Sequence, residues 1–310
     1  MIRYSAAIAS ALILSAPAYS HDVQSCEREI IVLGAGQDAG APQIGNADDT
    51  EPRLLPTSLA VIDHVAGTRY LFEATPAITE QLALLDGIAP PANGLGLDGI
   101  FLTHAHIGHY LGLAYFGREA AGAKGLPVYA MPRMAEFLRN NGPWNQLVAL
   151  GNIELRPLGG EGIVALSDDV GILAMPVPHR DEYSETVGYY VITSGKVALF
   201  VPDLDSWDEW TASSGLTLAE LIGNVDYAFI DATFFDDDEL PGRDMSEIPH
   251  PRVAGTMDAL GGVPAAERAK VHFIHYNHTN PVRDPASPQS REVEARGFDV
   301  ARRGDRYCLD

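Results

Sequence analysis

THAHIGH, residues 103–109, follows the apolar run GIFL at 99–102 and leads into YLGLAYFGREAAG at 110–122, which has helical character. A strand that ends in His104 and His106 offers two imidazoles, at i and i+2, that can converge on one cation. His109, at i+5 on the incoming helical turn, can face a neighbouring position. A lone histidine more often has a structural or surface role. Three within six residues at a strand-to-helix turn point instead to a metal centre.

Other strands end in the same way. GILAMPVPH closes on His179, KVALFVPD on Asp203, and KVHFIHYNH on His275 and His278. Strand ends gathered on one edge of a sheet are where α/β proteins build sites, and each of these supplies a borderline metal ligand. Further apolar runs bounded by turn residues read as strands: EIIVLGAG at 29–36, SLAVID at 58–63, RYLFEA at 69–74, PVYAMP at 127–132, IELRPL, VGYYVIT and YAFIDAT. Helical patterns lie between them, in AITEQLALLDG, RMAEFLRNN, TLAELIGN and PRVAGTMDALG. Strands in both halves with helices interspersed give a layered α/β protein with two sheets. No linker rich in Pro, Gly or Ser divides the chain, so one domain over 21–310 is expected.

The 310 residues are 46% hydrophobic and 20% charged, enough to bury a full core. With 21 Lys and Arg against 42 Asp and Glu, the net charge is −21. Nucleic acid and anionic membrane surfaces would be repelled, which leaves a small molecule as the expected partner. Residues 1–20 read as a signal peptide, with Arg3 ahead of the apolar stretch AAIASALILSA at 6–16 and cleavage after Ala18 or Ser20. No other apolar run approaches the roughly 18–20 residues that span a bilayer, so a periplasmic or secreted protein is expected, without membrane insertion once the leader is removed. The two cysteines, Cys26 and Cys308, are expected to pair in such an oxidising compartment. Closing a loop of that length is worth at most about 5 kcal/mol by chain entropy.

THAHIGH resembles the T-H-x-H-x-D-H signature of the metallo-β-lactamase superfamily, and His179, Asp203 and His275 follow in the order which that superfamily uses. VLGAGQDAGAPQIG at 32–45, LFEATPAITEQL at 71–82, DATFFDDDELPGRDMSEIPHP at 231–251 and HYNHTNP at 275–281 are similar to stretches of the pyrroloquinoline quinone biosynthesis protein B subgroup. The resemblance implies a four-layer αββα sandwich. It implies a first metal on His104, His106 and His179, a bridging Asp203, and a second metal on His109 and His275, with His278 competing for the last place. It also makes His250 a proton donor to a leaving group or a substrate-orienting group.

One departure stands out. Gly108 replaces the Asp that the signature carries, which is expected to leave a firm first zinc site and a weakened second one unless Asp205, Asp181 or Glu182 substitutes. Iron or manganese are the alternatives to zinc. The implied activity is metal-dependent hydrolysis of a small ester, lactone, phosphodiester or amide, with Asp203 orienting the water or accepting its proton. Carboxylates in HRDEYSET at 179–186 are candidates to fix the histidine tautomers. Trp144, Trp207, Trp210 and Phe234 are candidates for an apolar wall. Two rival readings are an iron-dependent oxygenase related to the quinone-biosynthesis protein and a non-catalytic metal-binding protein.

Overall fold

A computed structural model describes residues 26–310 except 47, 160 and 161. The expected signal peptide, and His21, therefore lie outside the described residues. The strands in chain order are β1 (Arg28–Gly34), β2 (Ser58–Asp63), β3 (Thr68–Phe72), β4 (Gly99–Phe101), β5 (Leu126–Ala130), β6 (Ile153–Pro157), β7 (Val164–Ala165), β8 (Gly171–Pro176), β9 (Val187–Ile192), β10 (Val197–Val201), β11 (Tyr227–Asp231), β12 (Val271–Ile274), β13 (Asp299–Val300) and β14 (Arg306–Cys308). They form two sheets, ordered β14-β1-β2-β3-β4-β5-β6 and β13-β12-β11-β10-β9-β8-β7.

The two-residue period of a strand sorts its side chains between two interiors. In β1, Ile30 and Val32 face the second sheet, while Ile31 and Leu33 face the helices outside the first. Both sets are fully buried, which is why the strand reads as a continuous apolar run instead of an alternating one. Between the sheets, Phe72 stacks on Phe101 at 5.1 Å and meets the edge of Tyr189 at 5.3 Å. Ile78, Leu85, Met134 and Leu138 from two helices cover the outer face of the first sheet. Trp210, Leu221, Met257 and Val293 from four others join the core around the second. These layers are the αββα sandwich that the resemblance implied.

Cys26 and Cys308 are disulfide-bonded, with Cα atoms 5.4 Å apart. The bond fastens the start of β1 to its antiparallel neighbour β14, where Glu29 lies opposite Cys308. Among the described residues, no helix is long and apolar enough to cross a membrane.

One helix departs from its sequence pattern. The single helix expected at 110–122 is instead a short turn, Ile107–Tyr110, continued by a 3-10 segment, Leu111–Phe116. The backbone here packs directly on the turn after β3: Ala74 N–H donates to the His109 carbonyl and Gly112 N–H to the Ala74 carbonyl, both at 2.8 Å. A Cβ at Gly112 would lie 2.1 Å from the Thr75 carbonyl oxygen. Tertiary contact therefore overrides local propensity.

Candidate metal centre

The carboxyl ends of β3, β4, β8, β10, β11 and β12 converge on one edge of the sandwich. Within a few residues of those ends the chain places Glu73, His104, His179, Asp203, Asp231 and His275. The positive-φ residues other than glycine among the described ones are Asp38, Glu73, His250 and His275, and three of these four belong to this edge by their side chains. Such conformations cost of order 1–3 kcal/mol each and persist where surrounding structure enforces them.

His104, His106, His179 and Asp203 bring their donor atoms together. His104 Nε2 and His106 Nδ1 are 2.8 Å apart, and His179 Nε2 is 3.4 Å from His106 Nδ1. Asp203 closes the group, with Oδ2 3.5 Å from His104 Nε2 and Oδ1 3.6 Å from His179 Nε2. The far nitrogens are occupied. His104 Nδ1 pairs with Thr103 Oγ1 and His179 Nδ1 with Asp205 Oδ1, both at 2.8 Å, while His106 Nε2 lies 3.4 Å from Glu182 Oε2. Partners of this kind fix the ring orientation and tautomer of metal-binding histidines.

His109 and His275 form a second group around the same carboxylate, their Nε2 atoms 3.0 and 3.2 Å from Asp203 Oδ2. Asp203 thus stands between both sets, as expected of a bridge. His278 is not part of either group. Its Nδ1 pairs with Asn277 Oδ1 at 2.8 Å, and its backbone N–H donates to the same oxygen.

Whether these residues suit a cation can be tested on their unpaired atoms. Nε2 of His109 and Nε2 of His275 are buried without a well-formed hydrogen bond in the protein, whereas His109 Nδ1 and Glu73 Oε1 face each other at 3.3 Å. An orphaned buried polar atom costs about 1–3 kcal/mol, so two ring nitrogens aimed at the same carboxylate are explained best by a bound cation. The donor set, imidazole and carboxylate, is the one zinc and related divalent metals take.

Electrostatics separate the histidines. Burial, reinforced by neighbouring imidazoles, pushes His104 well below its ordinary 6.5, and burial also lowers His106 and His275. These rings are neutral, as ligands must be. Burial alone would lower His109 too, but Glu73 and Asp203 outweigh it and raise it to about 10. Asp203 lies well below the usual carboxylate range, because His275, His179 and the other imidazoles outweigh its burial.

His250 adjoins the centre, with Nδ1 2.7 Å from Asp231 Oδ2 and 3.6 Å from Asp203 Oδ1. Burial opposes its charge, but Asp231 prevails and raises it to about 9. Asp231 is fully buried and also accepts N–H bonds from Leu204 and Thr233.

Gly108 has a structural explanation. A Cβ there would lie 2.5 Å from the carbonyl oxygen and 2.8 Å from the Cα of Asp38, so the 35–41 turn fills the space that an Asp side chain would enter. The substitutes considered for it are engaged elsewhere: Asp205 on His179, Asp181 on Arg133, and Glu182 beside the outward nitrogen of His106. The tryptophans do not wall the site. Trp144 and Trp210 are core residues, Trp207 Nε1 bonds Thr256, and Phe234 alone approaches the centre, 6.2 Å from the His250 ring.

Glu73 and Asp231 were not singled out by the sequence reading. Each is an acid closing an apolar strand, as Asp203 does, and that shared position was the available signal.

Comparison with known proteins agrees with this geometry. Residues 68–276 match the beta-lactamase superfamily domain. The chain is 30% identical over 264 residues to coenzyme PQQ synthesis protein B of Pseudomonas syringae pv. tomato, covering 74% of this chain and 80% of that one. It is 26% identical over 307 residues to the protein of the same name from Ruegeria pomeroyi, covering 89% and 98%. Among solved structures, Zn(2+)-bound PqqB from Methylobacterium extorquens superposes with a TM-score of 0.72 at 20% identity, over 90% of this chain and 99% of that one. A diphosphatase from the PhnP family gives 0.62 at 23% identity, over 90% and 96%. At these identities the two structures speak for the fold.

Proposed function

Because the chain belongs to the metallo-β-lactamase superfamily, among relatives of coenzyme PQQ synthesis protein B, we propose that it is an exported metal-dependent hydrolase. Its substrate is a small ester, lactone, phosphodiester or amide. The observation that carries this reading is the convergence of His104 Nε2, His106 Nδ1, His179 Nε2 and the Asp203 carboxylate. These residues would hold the firm site, with zinc as the metal. Asp203, His109 and His275 would hold a weaker one.

A divalent cation bound there supplies a Lewis acid for the scissile oxygen and lowers the pKa of a coordinated water. The protein does the rest. Asp203, ionised and fixed between the two histidine sets, would orient the attacking water, whose proton passes to solvent once its pKa is lowered. His250, which holds its proton at neutral pH, is placed by Asp231 to give that proton to the leaving group. The disulfide and the apolar leader support export, and the charge of −21 argues against a polynucleotide substrate.

The test is turnover of an ester, lactone and phosphodiester panel by the zinc-loaded protein. His104→Ala should lose metal and turnover together. His250→Gln should keep the metal and lose about 10²- to 10⁴-fold in kcat. Turnover that survives His104→Ala overturns the reading. A second reading, oxygen chemistry at iron, draws on the similarity to coenzyme PQQ synthesis protein B. Iron in the purified protein and oxygen uptake with a tyrosine-like substrate would favour it.

A further inference from the structure

We propose that Arg252 is a positioning residue for His250: through the His250 carbonyl it holds the ring on Asp231 and beside Asp203, where a proton donor is needed. This role rests on the hydrolytic reading above.

The backbone of His250 is in a conformation that residues with a side chain rarely adopt. Its φ is 111°, which persists only where the surroundings enforce it. Both of its peptide groups are tied. On one side its N–H donates to the Asp205 carbonyl at 3.0 Å, and Asp205 is itself fixed by the bond of its side chain to His179 Nδ1 at 2.8 Å. On the other side the His250 carbonyl accepts from Arg252 Nη1 at 2.6 Å. With both ends of the residue held, the direction of its Cβ is set, and Nδ1 of the ring meets Asp231 Oδ2 at 2.7 Å.

The Arg252 guanidinium is itself anchored. Nη2 donates to the Met245 carbonyl and lies 3.4 Å from that of Ile248, while Nε donates to Asp237 Oδ1 at 2.8 Å. The same group lies over the Phe234 ring, 5.4 Å from its centroid, and that ring is 6.2 Å from the His250 ring. Backbone pairing pins the residue as well: Arg252 forms a β-bridge with Phe234, and Val253 N–H donates to the Phe234 carbonyl at 3.0 Å. Three carbonyls of the 245–250 segment thus converge on one side chain that is only 13% exposed. A planar guanidinium presents its donors in fixed directions, and its charged hydrogen bonds are stronger than neutral ones, so it can hold a carbonyl where an unfavourable φ would turn it away. The hydrogen bonds of Arg252 go to Asp237, Met245, Ile248 and His250, so its loss should move His250 and spare the metal ligands.

The experiment uses the zinc-loaded protein, isotopically labelled at histidine, and proton NMR. In the native protein the His250 Nδ1–H, bonded to Asp231, should give a downfield resonance that His250→Gln removes. Arg252→Met should shift or lose that resonance while the zinc content stays at the native value. Arg252→Lys, which keeps the charge without the fork, should show the same change in weaker form and carries the test if the methionine variant does not fold. For any ester, lactone or phosphodiester turned over, Arg252→Met should lower kcat by about 10²-fold, the scale of a misplacement of about 1 Å, and should cost nothing further in a His250→Gln background. A resonance unchanged in both variants, a loss that comes only with loss of zinc, or equal kcat losses with and without His250 overturns the positioning role. If the native protein turns over no substrate, the hydrolytic reading fails, and the resonance still decides whether Arg252 holds His250.

Discussion

The two halves of the metal centre share Asp203 yet are built to different standards. Around His104, His106 and His179, burial holds His104 and His106 below their ordinary value. Two of the three are locked from behind, by Thr103 and Asp205. Around His109 and His275, one ring is raised to about 10 by Glu73 and Asp203, and the carboxylate that would complete the set is missing because the Asp38 turn lies in its place. The number of histidines therefore does not set the strength of a site. The far nitrogens are partnered in both halves, those of His109 and His275 by Glu73 and Thr233, so what separates the two is whether a proton must leave first and whether the backbone leaves room for the last ligand.

The largest effect that sharpens this contrast is a pair of ligand deletions. His104→Ala should abolish tight metal binding, whereas His109→Ala should retain one tightly held ion per chain, as read by elemental mass spectrometry. Equal losses from the two would erase the distinction between the sites.

Gly108→Asp restores the missing residue type but not the site. Its Cβ meets the Asp38 backbone, so a loss of about 1–3 kcal/mol in stability is expected, seen as a lower Tm, with no second tight ion. An unchanged Tm together with two tight ions would show that the turn yields easily.

Asp205→Asn, which weakens the support behind His179, should lower affinity at the first site by about 10- to 100-fold in a chelator competition. The second site should respond instead to pH. A cation there displaces the proton of His109, so below about pH 10 its affinity rises by up to about tenfold for each unit of pH. Above neutral pH the first site, where burial holds His104 and His106 below their ordinary 6.5, should depend on pH less steeply than the second. The protein without metal should show the matching trend at His250. Its raised pKa adds stability that is fully present below about 6.5 and lost as pH rises through about 9, measurable as a falling Tm over that window.

Much of this was readable in the chain, and the exceptions have physical causes. SLAVID at 58–63 coincides with β2, and VGYYVIT overlaps β9 to within a residue, because buried strands are short apolar runs bounded by turns. The ligands announced themselves by spacing after such strands. The helices Trp207–Ser214 and Pro288–Ala295 were missed although Ser206 and Ser287 cap them, since neither carries a strong apolar stripe. Glu73 and Asp231 passed unnoticed because an isolated acid has no spacing pattern, and only the folded edge shows that they face His109 and His250. The clash between residue 108 and Asp38 joins positions 70 residues apart, which no local reading reveals.

The central claim is the inequality of the two sites, and metal content after equilibration with a chelator at neutral pH tests it most directly. One ion per chain retained by the native protein, and still retained by His109→Ala, is the result predicted. Two ions held with equal tenacity in the native protein would contradict it.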